Sequence, residues 1–376
     1  MKKEKMLVFH SALAPYRIDQ FNLMNKLFDL EVVFLLDNLT YFSYDQDDLK
    51  SKCDFKISYL LKGPKYKARY FRWGVLNKIK ETKPDYIVSY EYSLTTQYLI
   101  FLKTFGLINQ KIGSMIDDSL DICKTGRSKL RKVIRNNTVG KLDFVVLLSD
   151  EIAHFYQKEF NLTSSQTIVA PLLQIPDNLR RNKKHLEDLA TQYIEEFSLK
   201  GKKVLLYVGR FSPEKALPQF MENVANIIKE TEDLFFVLVG EGDEKENLLA
   251  IIEKNNISDK VIFPGRFDGE KLHPWYLCAS GLVLPSISET YGAVVDEALI
   301  FGLKVLCSQL AGATAIINSD NGLIFDPTDK QDTADKFKLF ADGFEIVGNV
   351  NLDSTLPLRK DHIPEFNKEW SKLYHQ

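Results

Sequence analysis

The chain has 376 residues, 45% of them hydrophobic and 12% aromatic, so it can bury a core without disulfide or metal staples and is not globally disordered. Its 49 lysines and arginines against 51 acidic residues leave a net charge of −2, which argues against a dedicated nucleic-acid binder. The four cysteines form no C-x-x-C pair and the six histidines have no metal-ligand spacing. We therefore expect neither a disulfide framework nor a structural zinc site, and the isolated cysteines are typical of a reducing cytoplasm.

The amino terminus begins with lysines and a short apolar run at 6–9. That run is too short for a signal peptide and predicts a buried strand instead. No other stretch approaches the ~20 apolar residues that a membrane-spanning helix needs. We therefore expect a cytoplasmic protein without a membrane span.

Short apolar, β-branched runs then alternate with longer segments of helical period. Because these runs are apolar at every position, they predict strands covered on both faces, and the alternation predicts two parallel α/β sheets. Six runs form each set, at 6–9, 31–36, 86–90, 111–116, 144–148 and 167–170, and at 203–208, 235–239, 261–263, 281–284, 304–307 and 323–325.

A polar, turn-rich segment between the two sets marks the domain boundary. We predict an amino-terminal domain at 1–180, a carboxyl-terminal domain at 181–355 and a closing helix within 356–376. Phe366, Trp370 and Tyr374 recur at a spacing of four and form the apolar stripe of that helix. Whether this last segment crosses back to the first domain is left open.

The usual nucleotide fingerprints are incomplete. Gly240 and Gly242 follow a predicted strand, but Lys245 stands where the third glycine of G-x-G-x-x-G belongs. The chain also has no G-x-x-x-x-G-K-[ST] loop. A dehydrogenase or a P-loop ATPase is therefore not indicated.

The loop after the first strand of the second set contains Gly209, Arg210 and Lys215. Pro213 suits the first turn of a helix, so both cations are predicted near a strand end and a helix N-terminus. A phosphate there would meet two cations and free backbone N–H groups. Two solvated surface cations are the alternative.

A second informative segment, at 284–299, follows the strand at 281–284. Glu289 is predicted in its loop, and Glu297 in the helix that begins near Tyr291 and Gly292. A capping role is the alternative for Glu289. Because glycine weakens a helix, Gly292 makes sense if a ligand approaches the backbone there.

These segments resemble glycosyltransferase family 4, whose members have the GT-B fold of two Rossmann-like, doubly wound parallel-sheet domains facing a cleft. The amino-terminal half resembles the family only loosely, through residues 14–24. The matching stretches cover most of the second half and are GRFSPEK, FFVLVGEGDE, VIFPGRF, LPSISETYGAVVDEAL and AGATAIINSDNGLIFDPTD.

The resemblance implies retaining transfer of a sugar from a UDP- or GDP-sugar to a saccharide or lipid-linked acceptor, in the synthesis of surface polysaccharide, lipopolysaccharide or glycolipid. Arg210 and Lys215, with Gly209, would hold the diphosphate, and Glu289 would contact the donor sugar. The remaining donor-binding positions it implies are the backbone N–H groups of Tyr291, Gly292 and Ala293, the ribose-binding Glu297, and the loop of Gly265, Arg266 and Phe267 beside the base.

No cofactor or metal is expected, since fixed cations and N–H groups can stabilise the departing diphosphate. An Asp-x-Asp triplet typical of metal-dependent transferases does occur at Asp45 and Asp47, but we expect it to lie in a loop. Where many relatives carry a histidine, this chain has Asp117 and Asp118. Asp118 is taken as a catalytic candidate, and a helix cap or turn is the alternative.

Two acid-free basic stretches, 62–72 and 124–141, lie in the first half. They suggest contact with an anionic membrane surface or a lipid-diphosphate acceptor, at the inner face of the cytoplasmic membrane. A solvated helix face with a buried apolar stripe of Leu130, Val133 and Ile134 is the alternative.

Two other functions remain open from the residues. One is a nucleotide-sugar enzyme similar to UDP-N-acetylglucosamine 2-epimerase. The other is a non-catalytic subunit that only binds a sugar nucleotide.

Overall fold

The computed structural model of the protein describes residues 2–39, 43–66, 69–125 and 128–375. The chain forms two compact units, Met1–Gln174 together with Asp361–Gln376, and Ile175–Lys360. The sequence-based division was drawn at 180 and 355. The first unit is thus built from both ends of the chain.

The first unit contains a parallel sheet with the strand order β3-β2-β1-β6-β7-β8-β9 and a separate antiparallel hairpin, β4-β5. Its strands are β1 (Lys5–His10), β2 (Asp29–Phe34), β3 (Lys56–Tyr59), β4 (Lys65–Tyr66), β5 (Arg69–Tyr70), β6 (Tyr86–Tyr90), β7 (Lys111–Met115), β8 (Phe144–Leu147) and β9 (Thr167–Val169).

The second unit contains a parallel sheet with the strand order β12-β11-β10-β13-β14-β15. Its strands are β10 (Lys203–Val208), β11 (Leu234–Val239), β12 (Val261–Gly265), β13 (Gly281–Leu284), β14 (Val305–Ser308) and β15 (Gly322–Phe325). The two parallel α/β sheets confirm the predicted fold class, and the ends of every predicted strand are displaced by at most two residues.

The strands are apolar at successive positions because both faces of each sheet are covered. In β10, Val204 and Leu206 point to one buried core, whereas Leu205 and Tyr207 point to the other. All four side chains are almost completely buried. Because successive side chains of a strand point to opposite faces, β10 contributes to two separate cores.

Three strands were not predicted from the sequence. β3 alternates polar and apolar residues and is half-exposed at the edge of its sheet. The hairpin strands β4 and β5 have two residues each and lie in a polar, basic segment. Strands this short leave no periodic signal.

The helices follow the strands in the alternating order expected. They are α1 (Pro15–Leu27), α2 (Gln46–Ser51), α3 (Val75–Thr82), α4 (Leu94–Thr104), α5 (Leu120–Thr125), α6 (Lys129–Val139), α7 (Asp150–Phe160), α8 (Pro176–Leu179), α9 (Lys183–Glu196), α10 (Leu217–Glu230), α11 (Lys245–Lys254), α12 (Pro274–Leu277), α13 (Ala293–Ile300), α14 (Lys330–Asp342) and α15 (Ile363–Ser371). Within the described residues, no helix combines the length and apolar character that crossing a bilayer requires.

The last helix, α15, packs in the first unit. Trp370 is fully buried, with its ring 6.0 Å from that of Phe28. Glu369 accepts a hydrogen bond from the backbone N–H of Val169, and the Tyr86 hydroxyl donates to the Leu373 carbonyl at 2.9 Å. Phe366 and Trp370 of the predicted stripe are thus part of the first unit's core, whereas Tyr374 lies in the following 3₁₀ turn and is 42% exposed.

Two local predictions were wrong. The loop predicted at Asp45 is a helix start, because its carboxylate accepts hydrogen bonds from the backbone N–H groups of Asp47 and Asp48 and caps α2. The helix predicted to open at Pro213 is a single 3₁₀ turn, since Ala216 adopts a left-handed conformation that interrupts it. The long helix α10 begins only at Leu217.

The buried apolar stripe considered for the basic segment is also wrong. Leu130 and Val133 of α6 are more than half exposed, whereas Arg135 is 2% exposed. The Arg135 guanidinium donates to the Cys123 carbonyl and lies over the rings of Phe155 and Phe160. The buried face of α6 is thus occupied by an arginine, and the apolar side chains of Leu130 and Val133 lie outside.

Candidate functional site

Each parallel sheet has one point at which the strand order reverses. In the second unit it lies between β10 and β13, and in the first between β1 and β6. The loops that leave the two adjoining strands diverge there, and ligands of open α/β sheets bind in that crevice at the carboxyl ends of the strands. The topology therefore selects the loops after β10 and β13 as the binding edge of the second unit.

The two charged residues predicted at this edge are brought together. Lys215 follows β10, Glu289 follows β13, and the Lys215 ammonium forms an ion pair with the Glu289 carboxylate. Their side chains are 18% and 14% exposed. The backbone N–H of Ile287 also donates to the Glu214 carbonyl at 3.0 Å, so the two loops are joined by backbone as well as by charge.

Arg210 lies on the same loop and is the more accessible cation. Its side chain is 46% exposed, and its guanidinium is 3.0 Å from the Glu214 carboxylate. The buried Tyr207 hydroxyl donates to the Arg210 carbonyl at 2.7 Å. Burial raises the pKa of Tyr207 well above its usual value, so this donor keeps its proton.

The glycines after β11 hold this loop in place. A Cβ atom on Gly240 would lie 1.9 Å from the Gly209 carbonyl oxygen, and one on Gly242 would lie 2.3 Å from that of Phe211. The Phe211 N–H donates to the Glu241 carbonyl at 2.8 Å. The sequence showed Gly240-x-Gly242 only as an incomplete fingerprint, but its role is close packing against the loop that carries Arg210.

The start of α13 is the second part of the edge. Gly292 has φ +97°, and a Cβ there would lie 2.7 Å from Leu284 Cδ2. Ala293 begins the helix, and Tyr291 is buried beneath the turn. The close approach and the left-handed backbone explain why glycine precedes this helix.

Glu297 lies one turn inside α13. Its carboxylate accepts a hydrogen bond from the Tyr276 hydroxyl at 2.6 Å. Burial raises the pKa of Tyr276 well above its usual value, so the hydroxyl remains a donor. A carboxylate fixed in this way retains further acceptor positions.

The loop after β12 contributes the remaining predicted residues. Gly265 has φ +98°, and its carbonyl accepts the Gly240 N–H at 2.9 Å. Arg266 lies 2.9 Å from the Asp268 carboxylate. The Phe267 ring packs 5.5 Å from the ring of Trp275, so the loop is tied both to the glycine loop and to the core.

One buried ion pair at this helix was not foreseen. Arg359 Nε lies 2.7 Å from Asp296 Oδ1, and the two side chains are 4% and 1% exposed. Asp296 lies on the buried face of α13, and its partner is 63 residues further along the chain. Nothing in the local sequence signals that pairing, because it depends on where the segment after α14 returns.

In the first unit, Asp118 is completely buried. It accepts hydrogen bonds from Arg131 at 2.6 Å and from the Tyr156 hydroxyl at 2.8 Å. Asp118 therefore belongs to a buried hydrogen-bond network of the first unit, and its catalytic role stays a prediction.

Asp117 and Glu91 lie at the point where the first sheet reverses. Asp117 forms an ion pair with the buried Arg17; burial opposes ionisation, yet Arg17 holds the pKa of Asp117 below its usual value. Glu91 has a left-handed backbone at φ +54° and accepts Arg131 Nη2 at 2.7 Å. Burial raises the pKa of Glu91 to about 7, against the opposing effect of Arg131.

His10 ends β1 at the same edge. Its Nδ1 lies 3.2 Å from the Ala12 carbonyl, and the ring is 4.5 Å from that of Tyr90. Burial, together with a smaller contribution from the nearby Arg17, lowers the pKa of His10 from 6.5 to about 3. The imidazole is therefore neutral at physiological pH.

Comparisons with known proteins cover this chain to different extents. Residues 191–343 match the family model described as "Glycosyl transferases group 1". Sulfoquinovosyl transferase SQD2 of Arabidopsis thaliana is 31% identical over 41% of this chain and 30% of that protein. The uncharacterized glycosyltransferase MJ1178 of Methanocaldococcus jannaschii is 23% identical over 93% of this chain and 88% of that one.

The chain spans 30% to 48% of the length of the first three curated relatives that it matches. Among solved structures, HepE of Anabaena in complex with UDP superposes with a TM-score of 0.72 over 99% of this chain and all of that one, at 14% identity. Together these findings confirm the predicted GT-B architecture. The chain has the GT-B fold, and the match to the model of the glycosyl transferases group 1 lies within its second unit.

Proposed function

We propose that the protein is a retaining, metal-independent glycosyltransferase of family 4, which transfers a sugar from a UDP- or GDP-sugar to a saccharide or lipid-linked acceptor. The observation that carries this proposal is the Lys215–Glu289 ion pair at the point where the second sheet reverses. Residues 74 positions apart meet there beside the exposed Arg210 and a glycine-led helix start.

The reaction breaks the bond between the anomeric carbon and the diphosphate oxygen, and that oxygen keeps the electron pair. Arg210 and Lys215 would stabilise the charge that develops on the diphosphate. The backbone N–H groups at Gly292 and Ala293, at the start of α13, add to this effect. Arg210 and the N–H groups lie at this edge before the donor binds, and Lys215 would join them on donor binding, so that together they would supply the role of a metal ion.

Glu289 has two tasks in this mechanism. In the free protein its carboxylate holds the Lys215 ammonium in position. With the donor bound, Lys215 would turn to the diphosphate, and the released carboxylate would accept hydrogen bonds from sugar hydroxyls. Retention would follow if the acceptor hydroxyl attacks from the face that the diphosphate leaves and gives its proton to the departing phosphate.

The nucleoside would be held by side chains already fixed in place. Glu297, oriented by Tyr276, would accept both ribose hydroxyls. The loop of Gly265, Arg266 and Phe267 would lie beside the base. The structurally similar HepE is in complex with UDP, which supports the uridine nucleotide among the two donors proposed.

The acceptor would belong to surface polysaccharide, lipopolysaccharide or glycolipid synthesis. Two similar proteins support this range: SQD2 is named a sulfoquinovosyl transferase, and WaaB, with a TM-score of 0.67, a lipopolysaccharide outer core galactosyltransferase. A lipid-linked acceptor would require the enzyme to work at a membrane surface.

A thermal-shift screen against UDP, GDP and their sugars tests the donor site. Ligand binding to the native state alone raises its melting temperature, so one nucleotide series is expected to stabilise the wild-type protein. Lys215→Ala is expected to lose that stabilisation. Lys254→Ala is the matched control, because Lys254 forms an exposed ion pair with Glu222 in the same unit.

Stabilisation of Lys215→Ala by the same nucleotide to the wild-type extent would contradict the site. Conversion of the nucleotide sugar to an epimer without any acceptor would contradict the reaction, since transfer consumes an acceptor and epimerisation does not.

A further inference from the structure

Five aromatic rings form a contiguous row on the first unit, which we call the aromatic ridge. In spatial order they are Trp73, Phe71, Tyr98, Phe101 and Phe105, and Phe71 and Tyr98 are partly buried. Trp73 is 61% exposed, Phe101 49% and Phe105 67%. Neighbouring centroids along the row are 5.2, 5.3, 6.4 and 4.6 Å apart. Single exposed apolar residues are ordinary, but a contiguous row of rings in water marks an interaction surface.

The ridge has a defined backbone support. Tyr98, Phe101 and the C-cap residue Phe105 fall on one face of α4, and the exposed Leu94 begins the same face one turn earlier. Phe71 and Trp73 follow β5; the Phe71 ring packs against Tyr98, and the Trp73 ring packs against Phe71. A helix face therefore presents one part of the ridge, and the segment after the hairpin presents the other.

Exposed leucine and valine side chains extend the apolar surface toward α6. The Gln97 amide donates to the Thr138 hydroxyl at 2.8 Å and joins α4 to α6. A cavity of about 260 Å³ is lined by Arg69, Ser93 and Leu130, so the hairpin and the starts of both helices also meet. Leu130 and Val133 of α6 are 53% and 56% exposed.

The elements that carry this surface have basic but no acidic side chains, and Glu91, which lines the cavity, is paired with Arg131. The segment 62–73, α4 and α6 contain no aspartate or glutamate. Their exposed cations include Lys62, Lys65, Arg69, Lys129 and Lys132. In a chain with a net charge of −2, this is a local concentration of positive charge beside an apolar row.

We propose that the aromatic ridge docks the first unit onto an anionic lipid bilayer, with Trp73, Phe101 and Phe105 entering the interfacial layer and the neighbouring cations contacting lipid phosphates. Tryptophan and tyrosine favour that layer, because their rings are apolar with a polar edge. Basic residues near an anionic surface add to the affinity one by one.

The charge pattern favours a bilayer over a protein partner. Protein interfaces are depleted of lysine at their centres, whereas lysines here flank the rings on two elements. The proposal goes beyond sugar transfer and does not depend on it, because vesicle binding requires neither donor nor acceptor.

Tryptophan fluorescence provides the first test. The chain has three tryptophans, and Trp275 and Trp370 are fully buried, so a change of emission on vesicles reports Trp73. Vesicles of equal parts phosphatidylglycerol and phosphatidylcholine are expected to shift the emission to shorter wavelength, and brominated acyl chains to quench it. Phosphatidylcholine alone is expected to do neither.

Flotation with the same vesicles provides the second test. The triple variant Trp73→Ser, Phe101→Ser, Phe105→Ser is expected to lose binding by at least about tenfold. Lys129→Gln with Lys132→Gln is expected to lose about tenfold, in a manner that added salt reproduces in the wild type. The matched control replaces Leu249, Leu339 and Leu356 of the second unit by serine, since these are equally exposed.

Thermal melting verifies that each variant folds. Wild-type flotation by the ridge variant, or equal loss in the control, would overturn the proposal. So would an unchanged Trp73 emission on anionic vesicles. Self-association that the ridge variant abolishes, without vesicle binding by the wild type, would assign the ridge to a second copy of the chain and equally overturn it.

Discussion

The two units share one topology and carry opposite chemistry at the point where their sheets reverse. In the second unit, Arg210 and Lys215 lie on a loop packed against glycines, and each cation has one carboxylate partner, Glu214 for Arg210 and Glu289 for Lys215. In the first, carboxylates are buried among arginines, as in the Arg17–Asp117 pair and in Asp118 beside Arg131. The sheet order thus decides where a ligand can bind, and the loop residues decide its charge.

The difference also lies in accessibility. The Arg210 side chain is 46% exposed, whereas Arg17 is 1% exposed and already bound. A buried guanidinium with a carboxylate partner shapes the fold and has little capacity left for a ligand. The following predictions test this contrast.

The largest effect is expected from Lys215→Ala or Glu289→Ala. Each would remove a group that stabilises charge at the donor, so transfer is expected to fall by at least about a hundredfold. Rates with the preferred nucleotide sugar measure this. Lys254→Ala breaks an exposed pair and is expected to remain active; wild-type turnover in either site variant would place the donor elsewhere.

Gly292→Ala is expected to combine lower stability with lost nucleotide binding. The new Cβ would meet Leu284 in a backbone conformation that alanine adopts only under strain, which costs about 1–3 kcal/mol. Urea unfolding and nucleotide titration measure the two effects. Gly348→Ala is the matched control, since a Cβ there meets nothing within 4 Å. Equal stability and equal nucleotide binding of the two variants would show that the close approach at Gly292 does not matter.

His10 is expected to make the stability of the first unit depend on pH. Its pKa is lowered from 6.5 to about 3 on folding, so the unfolded chain binds the extra proton between these values and stability falls as the pH falls below 6.5. Between about pH 7.5 and 5, this loss amounts to about 2 kcal/mol. His10→Asn is expected to lack that part of the loss, as measured by urea unfolding at both pH values. An equal loss of stability in the wild type and in His10→Asn would show that His10 is not responsible.

The smallest effect is expected from chelation. If Arg210 and Lys215 do the work of a metal ion, transfer should persist in EDTA. Activity measured before and after dialysis against EDTA, with magnesium added back, checks this. If EDTA abolished transfer and added magnesium restored it, Arg210 and Lys215 would not be sufficient to replace a metal ion.

Much of this molecule followed from the sequence because its signals are local. Apolar runs such as 203–208 predict buried strands, and the order of strands and helices predicts parallel sheets. The loop after β10 was singled out because Arg210 and Lys215 lie within six residues of one another, and the segment 284–299 because Gly292 precedes a helix. Only the resemblance implied that the two segments share a site, since no local pattern joins Lys215 to Glu289.

The remainder depends on contacts that are distant in the chain. The Asp296–Arg359 pair and the burial of Arg135 follow from tertiary packing and leave no periodic signal. The left-handed Ala216, which stops the helix predicted at Pro213, violates the local preference of alanine. The aromatic ridge was visible only as aromatic residues scattered among basic ones, because exposure cannot be read from composition.

The return of α15 to the first unit has a consequence for synthesis. On a ribosome, residues 175–360 emerge before the helix that completes the first sheet's core, so the second unit can reach its native state earlier. Trp370, buried against Phe28, then closes the amino-terminal half last. Stop codons within the final turns would accordingly damage the half of the protein that was translated first.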